Sequence, residues 1–248
     1  MDLNSQIKYW LVEQRELFER ERRDRPFVCL SYAQSWDGSI TLHSGESLAL
    51  SGTESIRLTH HLRSLHDGIL VGIGTVLADN PQLNVREWQG PDPQPIVLDA
   101  HLKMPANAKL CQRTDKTCWL LTSAEAEGPQ QANVCIIRLP GDNDGQVCLH
   151  RALRELRARG IHSLMVEGGG NVITAFLKQK LVDAIVVTVA PRLVGGYKAL
   201  GDLAAGNQSL LPGISPLYTG RLEDDLIMWG RVYYPAADTG KAAMRAHA

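Results

Sequence analysis

The chain has 248 residues, of which 44% are hydrophobic and 21% are charged, and its formal net charge is −1. This composition is typical of a globular α/β protein with a substantial core, and the absence of a sustained basic face argues against nucleic acid as a partner. The sequence contains no run of 18 apolar residues and no signal-peptide pattern, so we expect no membrane association and a cytoplasmic location.

Residues 1–25 show apolar positions at helical spacing. Ile7, Trp10, Leu11 and Phe18 recur between charged residues, at intervals that place them on one face of a helix. The sequence therefore predicts an N-terminal amphipathic helix that packs on the rest of the protein or on a partner subunit.

From residue 27 onward, short apolar runs alternate with helical segments, a pattern typical of a largely parallel sheet with helices on both faces. Two further runs at the C-terminal end flank an acidic turn and predict an antiparallel hairpin at the sheet edge. We expect one domain over residues 26–235 and a loose tail over residues 236–248. The predicted strands are 27–30, 68–73, 95–98, 117–122, 134–139, 164–166 and 184–189, and the hairpin strands are 217–222 and 226–234.

The strand at 164–166 is followed by Glu167 and three glycines, and then by a predicted helix over residues 171–180. A strand, a turn without Cβ atoms and a helix N-terminus together allow an anionic ligand to approach backbone N–H groups. Glycines in such a place also serve as simple tight turns. The segment therefore indicates a phosphate-binding turn only in combination with its neighbours.

Other common binding motifs are absent from the sequence, and one further motif is better explained by a structural role. Gly72 and Gly74 begin like a dinucleotide-binding fingerprint, but Leu77 stands where the third glycine is required. The five cysteines form no Cys-x-x-Cys pair, and we expect no metal site. The Asp37-Gly38 pair suits a type I′ turn between two strands, which favours a structural role for Asp37 over a catalytic one.

Several motifs in a fixed order resemble the riboflavin-pathway pyrimidine reductases, the reductase part of the bifunctional deaminase-reductase. The most specific are the Thr-Val-Leu-Ala-Asp-Asn-Pro block of residues 75–81 and the Glu-Gly-Gly-Gly turn of residues 167–170. The resemblance covers about residues 26–234. It implies a three-layer α/β fold like that of dihydrofolate reductase and, in addition, a homodimer.

The resemblance also implies a reaction. Members of this family use NADPH to reduce the ribosyl group of a phosphoribosylamino-pyrimidine, such as 5-amino-6-(5-phosphoribosylamino)uracil, to a ribityl chain. The protein must then hold the nicotinamide against the sugar carbon that is reduced, and must manage a proton.

Candidate site residues follow from the matching positions and from their own chemistry. Arginines with a nearby hydroxyl bind phosphate well, and a carboxylate in a closed cleft can transfer a proton. We expect Asp79 and Glu167 to act in catalysis. The expected substrate contacts are Ser47, Arg63, Leu83 (through its backbone), Arg86 and Glu167. The expected cofactor contacts are Ala33, Thr75, Asp79, Gly168, Gly169, Gly170, Asn171 and Val172.

Two departures from the family pattern leave the substrate open. Ser31 replaces a lysine that is usual in members fused to a deaminase, and Ala49 replaces an aromatic residue. His101 and Lys103 are candidates for binding the cofactor's 2′-phosphate. A reduced-pterin reductase of the same fold is one alternative, although a pterin has no phosphate for Arg63 and Arg86 to bind. A non-catalytic nucleotide-binding module is another.

Overall fold

The computed structural model describes residues 1–21, 23–128, 132–142, 145–203 and 211–235, and within these ranges nine strands form the main sheet. The predicted tail, residues 236–248, lies outside the described residues. The strands, in chain order, are β1 Phe27–Ser35, β2 Ser39–Thr41, β3 Gly68–Gly72, β4 Gln94–Leu98, β5 Cys118–Ser123, β6 Val134–Leu139, β7 Ser163–Val166, β8 Ala184–Ala190, β9 Tyr197–Lys198, β10 Gly213–Leu222 and β11 Asp225–Tyr233. The helices are α1 Leu3–Arg20, α2 Thr53–Ser64, α3 Ile73–Asp79, α4 Leu149–Ala158 and α5 Gly170–Lys178, with a short 3₁₀ helix at Lys109–Gln112.

The main sheet has the order β10-β11-β8-β1-β7-β3-β4-β5-β6. All neighbours from β8 to β6 are parallel, whereas β11 runs antiparallel to β8 and to β10. Short β2 and β9 pair with each other outside this sheet. The predicted mixed, mostly parallel sheet with an antiparallel C-terminal hairpin is therefore confirmed.

Helices cover both faces of the sheet, and β7 shows why the strand sequences are so apolar. Met165 packs with α1 and α2, whereas its neighbours Leu164 and Val166 pack with α4 and α5 on the opposite face. Because successive residues of a strand point to opposite faces, a strand covered on both sides needs an uninterrupted apolar run. The three-layer arrangement expected from the sequence is confirmed.

Helix α1 lies on the sheet through its apolar stripe. Ile7, Trp10, Leu11 and Phe18 are all buried, and Phe18 meets Phe27 of β1 edge to face. Asp2 starts the helix by accepting a hydrogen bond from the N–H of Ser5 at 2.8 Å. None of the described helices combines the length and the apolar character that crossing a lipid bilayer requires.

Candidate active site

The candidate residues gather at the carboxyl end of β7. The chain builds the sheet outward from β1 on both sides, and β7 later pairs between β1 and β3. In open α/β sheets, such a reversal in strand order leaves a crevice at the carboxyl ends of the strands. Glu167 is the first residue beyond β7, and its N–H donates to the carbonyl of Leu70 on β3 at 2.9 Å.

The glycine turn after Glu167 contains two kinds of glycine. A Cβ on Gly168 would lie 2.6 Å from the Cβ of Val172, and one on Gly72 would lie 2.6 Å from its Cγ2. These two glycines therefore let Val172 pack against the strand ends. A Cβ on Gly169 would meet only Thr75 Oγ1, at an ordinary contact distance of 3.6 Å, so the protein does not fill the space beside Gly169 as it does beside Gly168.

Helix α5 begins at this turn without a capping side chain. Its N-cap is Gly169, which makes no side-chain cap hydrogen bond, and the helix itself starts at Gly170. The first N–H groups of a helix have no partner within the helix, and they attract anions. Free N–H donors beside a glycine that has no close packing neighbour fit the pyrophosphate of a dinucleotide cofactor.

Helix α3 lies opposite this turn. Thr75 on α3 faces Gly169, because its hydroxyl oxygen lies 3.6 Å from the position that a Cβ on Gly169 would occupy. Asp79 follows one turn later as the last residue of the helix. Asp79 is exposed and makes no hydrogen bond or ion pair with the part of the chain that the structure describes. Thr75 and Asp79 are thus on one side of α3, as their spacing predicts, and the Asp79 carboxylate is available to a ligand.

Arg63 on α2 binds Glu167 in a bidentate ion pair. Its Nε donates to Oε1 at 2.8 Å and its Nη2 to Oε2 at 2.7 Å, while Nη1 donates to the carbonyl of Asn84 at 3.1 Å. The side chains of Arg63 and Glu167 are only 12% and 16% exposed. Burial alone would lower the pKa of Arg63, but the charge and hydrogen bonds of Glu167 outweigh it and raise the pKa. Since a guanidinium has five N–H groups, two remain for a ligand.

The segment after α3 carries Leu83 and Arg86. Leu83 is buried and has φ +53°, so its side chain belongs to the core and only its backbone can face the crevice. The N–H of Arg86 donates to His60 Nδ1 at 3.3 Å, and its exposed guanidinium reaches Asn84 Oδ1 at 3.1 Å. Burial, followed by the charges of Arg63 and Arg86, lowers the pKa of His60, which keeps this nitrogen available as an acceptor.

The other expected contacts lie at the same end of the sheet without touching this group. Ala33 lies on β1 three residues beyond Leu30, the last β1 residue that pairs with β7, and it pairs with Thr188 of β8. Ser47 is exposed in the segment between β2 and α2, and among the described residues it has no hydrogen bond to the other candidates. His101 and Lys103 are exposed just beyond β4.

The Asp37-Gly38 turn differs from the prediction in type. A type I′ turn needs positive φ at both central residues, but Asp37 is not in the left-handed region and only Gly38, with φ +81°, is. The carbonyl of Ser35 accepts the N–H of Gly38 at 2.9 Å instead. The type I′ assignment was wrong because the Asp37 carboxylate binds several donors and holds a different backbone conformation.

Sequence reasoning missed three contributors to this region. The Asn84 carbonyl helps to hold Arg63, Trp88 stacks on His61 at 4.3 Å between ring centres, and the Tyr197 hydroxyl donates to Asn171 Oδ1 at 3.3 Å. No motif marks the carbonyl or the tyrosine. The one signal available was the presence of an aromatic residue, Trp88, two positions after Arg86.

The chain is similar to known proteins over most of its length. The profile of the family described as RibD C-terminal domain matches residues 26–209. The riboflavin biosynthesis protein RibD of Aquifex aeolicus is 32% identical over 223 residues, which are 88% of this chain, and the chain spans 61% of that protein's length. The 2,5-diamino-6-ribosylamino-4(3H)-pyrimidinone 5′-phosphate reductase of Debaryomyces hansenii is 35% identical over 202 residues, 73% of this chain and 81% of that protein.

Solved structures show the same fold. The riboflavin biosynthesis reductase Rib7 of Saccharomyces cerevisiae superposes with a TM-score of 0.70 at 29% identity, over 85% of this chain and 91% of that one. RibD of Acinetobacter baumannii gives a TM-score of 0.71 at 25% identity, over 85% of this chain and 59% of that one. The crevice residues lie within the matched range 26–209, and the chain therefore belongs to the RibD C-terminal domain family.

Proposed function

We propose that this protein is an NADPH-dependent reductase of riboflavin biosynthesis, which converts the ribosyl group of a phosphorylated ribosylaminopyrimidine to a ribityl chain. One observation carries the proposal. The Glu167 carboxylate, fixed by Arg63, and the uncapped N-terminus of α5 lie at two ends of one glycine turn. A carboxylate that an arginine holds in place, and that can bind a substrate, thus lies beside a helix N-terminus that can bind the pyrophosphate of a dinucleotide.

The cofactor side consists of the glycine turn, Thr75 and Ala33. The N–H groups of Gly170 and Asn171 would bind the pyrophosphate, and the Thr75 hydroxyl lies beside Gly169. NADPH supplies the hydride when it is bound. His101 or Lys103, exposed beyond β4, would bind its 2′-phosphate.

The substrate side consists of Glu167 and the residues around it. The Glu167 carboxylate accepts hydrogen bonds from the pyrimidine or ribose, and Arg63 holds that carboxylate in a fixed orientation. The free N–H groups of Arg63, the guanidinium of Arg86 and the Ser47 hydroxyl bind the phosphate. The Leu83 backbone provides a further contact, and Asp79 transfers the proton that accompanies reduction.

Two substrates fit this scheme. Relatives such as the Debaryomyces enzyme are named for the 2,5-diamino pyrimidinone, whereas the deaminated form is 5-amino-6-(5-phosphoribosylamino)uracil. Ser31 is buried in β1 and Ala49 is exposed before α2. Both differ from the pattern of members fused to a deaminase, and both variants of the pyrimidine therefore belong in the test.

The decisive experiment follows absorbance of the nicotinamide band with each pyrimidine 5′-phosphate and with dihydrofolate as a control. We expect oxidation of NADPH with at least one pyrimidine and none with dihydrofolate. Turnover with dihydrofolate alone would establish the pterin reductase instead. NADPH binding without turnover of any of the three would establish the non-catalytic module.

The phosphate role is tested separately. Replacing Arg86 by Met should raise KM for the phosphorylated substrate by roughly tenfold to a hundredfold, as expected for the loss of a charge-assisted phosphate contact. KM for the dephosphorylated nucleoside should not change. An equal rise in KM for both substrates would show that Arg86 does not bind the phosphate.

We also propose that the protein is a cytoplasmic homodimer whose catalytic unit comprises residues 26–235. Support comes from β10, an edge strand whose Leu217 and Tyr218 are 47% and 41% exposed. Long exposed edge strands with apolar side chains tend to associate. Sedimentation of the wild type and of Leu217→Lys tests this: the wild type should be dimeric and the variant more dissociated.

A further inference from the structure

The Asp37 carboxylate is the centre of a hydrogen-bond cluster that joins two distant segments. It accepts hydrogen bonds from two neighbouring hydroxyls and from three donors more than 150 residues later in the chain. The donors are Ser35 Oγ at 2.6 Å, Ser39 Oγ at 2.7 Å, the N–H groups of Val194 and Gly195 at 2.9 and 3.0 Å, and Lys198 Nζ at 2.6 Å. The N–H of Ala199 also donates to the Gly38 carbonyl at 3.0 Å. This turn therefore fixes the path of residues 194–201.

Residues 194–201, which we call the overlying segment, continue onto the first turn of α5. The carbonyl of Lys198 lies 2.9 Å from the position that a Cβ on Gly170 would occupy. The Tyr197 hydroxyl donates to Asn171 Oδ1 at 3.3 Å, and the N–H of Gly201 donates to Thr174 Oγ1 at 2.9 Å. The overlying segment thus forms a wall beside the N–H groups that would bind a pyrophosphate.

We propose that Asp37 is a positioning residue for the cofactor: it holds the overlying segment against α5 and thereby sets the space in front of the helix N-terminus. The inference rests on the proposed function, because the ligand of this turn is taken to be NADPH. Asp37 would therefore affect NADPH binding although it does not itself line the glycine turn.

The chemistry of the cluster explains why the carboxylate is needed. An ionised carboxylate offers about four acceptor sites and no donor, so it can satisfy hydroxyl, backbone and ammonium donors together. An amide of the same shape has one acceptor oxygen and directs an NH₂ group at donors. Asp37→Asn therefore loosens the overlying segment and changes the volume of the side chain little.

A matched control exists at the opposite end of the sheet. Asp67 likewise joins two distant segments: its Oδ2 accepts from the N–H groups of His162 and Ser163 at 3.0 and 2.8 Å and from the Ser163 hydroxyl at 2.9 Å. This cluster is at the amino end of β7, away from the crevice. Asp67→Asn thus removes a similar set of hydrogen bonds without touching the overlying segment.

The test is a fluorescence titration of NADPH, combined with amide hydrogen exchange of the protein without cofactor. In Asp37→Asn we expect about tenfold weaker binding, equivalent to about 1.4 kcal/mol, and faster exchange in residues 170–174 and 194–201. Tyr197→Phe, which removes only the Asn171 bond, should weaken binding by a smaller factor. Asp67→Asn should bind NADPH like the wild type.

The outcomes separate this proposal from the proposed function. Wild-type affinity in Asp37→Asn, while the wild type binds NADPH, would overturn the role of Asp37 and leave the proposed function intact. Failure of the wild type to bind NADPH would overturn both. If Asp37→Asn does not fold, Lys198→Met breaks the same cluster from its other side, and unchanged affinity in that variant would be equally decisive.

Discussion

Arg63 and Glu167 are 104 residues apart in the sequence and form a two-pronged ion pair at 2.8 and 2.7 Å. The pair joins α2 to the end of β7, and so it links the substrate side of the crevice to the strand that leads into the glycine turn. The glutamate therefore has a fixed orientation before any ligand arrives.

Arg63 and Glu167 should depend on each other in their contributions to the free energy of unfolding. Removing one partner leaves the other charge with little solvent around it, so Arg63→Met and Glu167→Gln should each destabilise the fold by about 1–3 kcal/mol. The double variant should lose less than the sum, with a coupling of about 1–2 kcal/mol. Urea unfolding of the wild type and the three variants measures this coupling, and strictly additive losses would contradict it.

Gly168 and Gly169 should respond differently to the same methyl group. Gly168→Ala places a Cβ 2.6 Å from Val172 and should destabilise the protein by about 1–3 kcal/mol through overpacking. Gly169→Ala has only Thr75 Oγ1 near, at 3.6 Å, and should fold normally. Its methyl group points into the proposed cofactor space, so NADPH affinity should fall by roughly tenfold or more.

Thermal unfolding and NADPH titration of the two alanine variants separate these effects. A folded Gly169→Ala protein that binds NADPH as tightly as the wild type would show that the cofactor does not approach this glycine. Unchanged stability in Gly168→Ala would show that Val172 moves away at little cost.

Asp79 should matter for the chemical step and not for the fold. Its carboxylate is exposed and makes no ion pair within the described ranges, so Asp79→Asn should unfold at the wild-type temperature. Loss of a general acid–base group should lower the single-turnover rate of NADPH oxidation by about 10²–10⁴-fold. Glu13→Gln, an exposed carboxylate on α1, is the control. A wild-type rate in Asp79→Asn would remove the proton-transfer role.

His66 should make the protein less stable in mild acid. Burial lowers the pKa of His66 from 6.5 to about 4, although the Leu62 carbonyl at 2.7 Å partly opposes this shift. The unfolded chain binds the proton first as the pH falls, so stability is lost between about pH 6.5 and 4 and is fully present above that range. From pH 7.5 to 5.5 this residue should contribute a loss of about 1 kcal/mol.

Urea unfolding of the wild type and of His66→Gln at both pH values isolates the contribution of His66. The glutamine has no titration in this range and can still donate to the Leu62 carbonyl. The wild type should lose about 1 kcal/mol more than the variant over this interval. Equal pH dependence in the two proteins would mean that His66 is not held neutral by the fold.

Local patterns were sufficient for much of the architecture. The apolar runs identified every strand of the parallel region, because strands buried on both faces consist mostly of apolar residues. Helical spacing identified the buried stripe of α1, and the Glu-Gly-Gly-Gly motif marked the start of α5 to within one residue. The turn type at Asp37 could not be predicted from its dipeptide, since donors from residues 194–198 determine its conformation.

The sequence by itself determined where the strands of the main sheet and the helices α1 and α5 lie, where the glycine turn lies, and which residue types are available for a phosphate, a proton and a cofactor. It did so because burial periodicity and the absence of a Cβ act over a few neighbouring residues. Only the tertiary structure decided that Arg63 holds Glu167 and that Asp37 holds the overlying segment. Those partners lie more than 100 residues apart, and parallel crossovers bring them together.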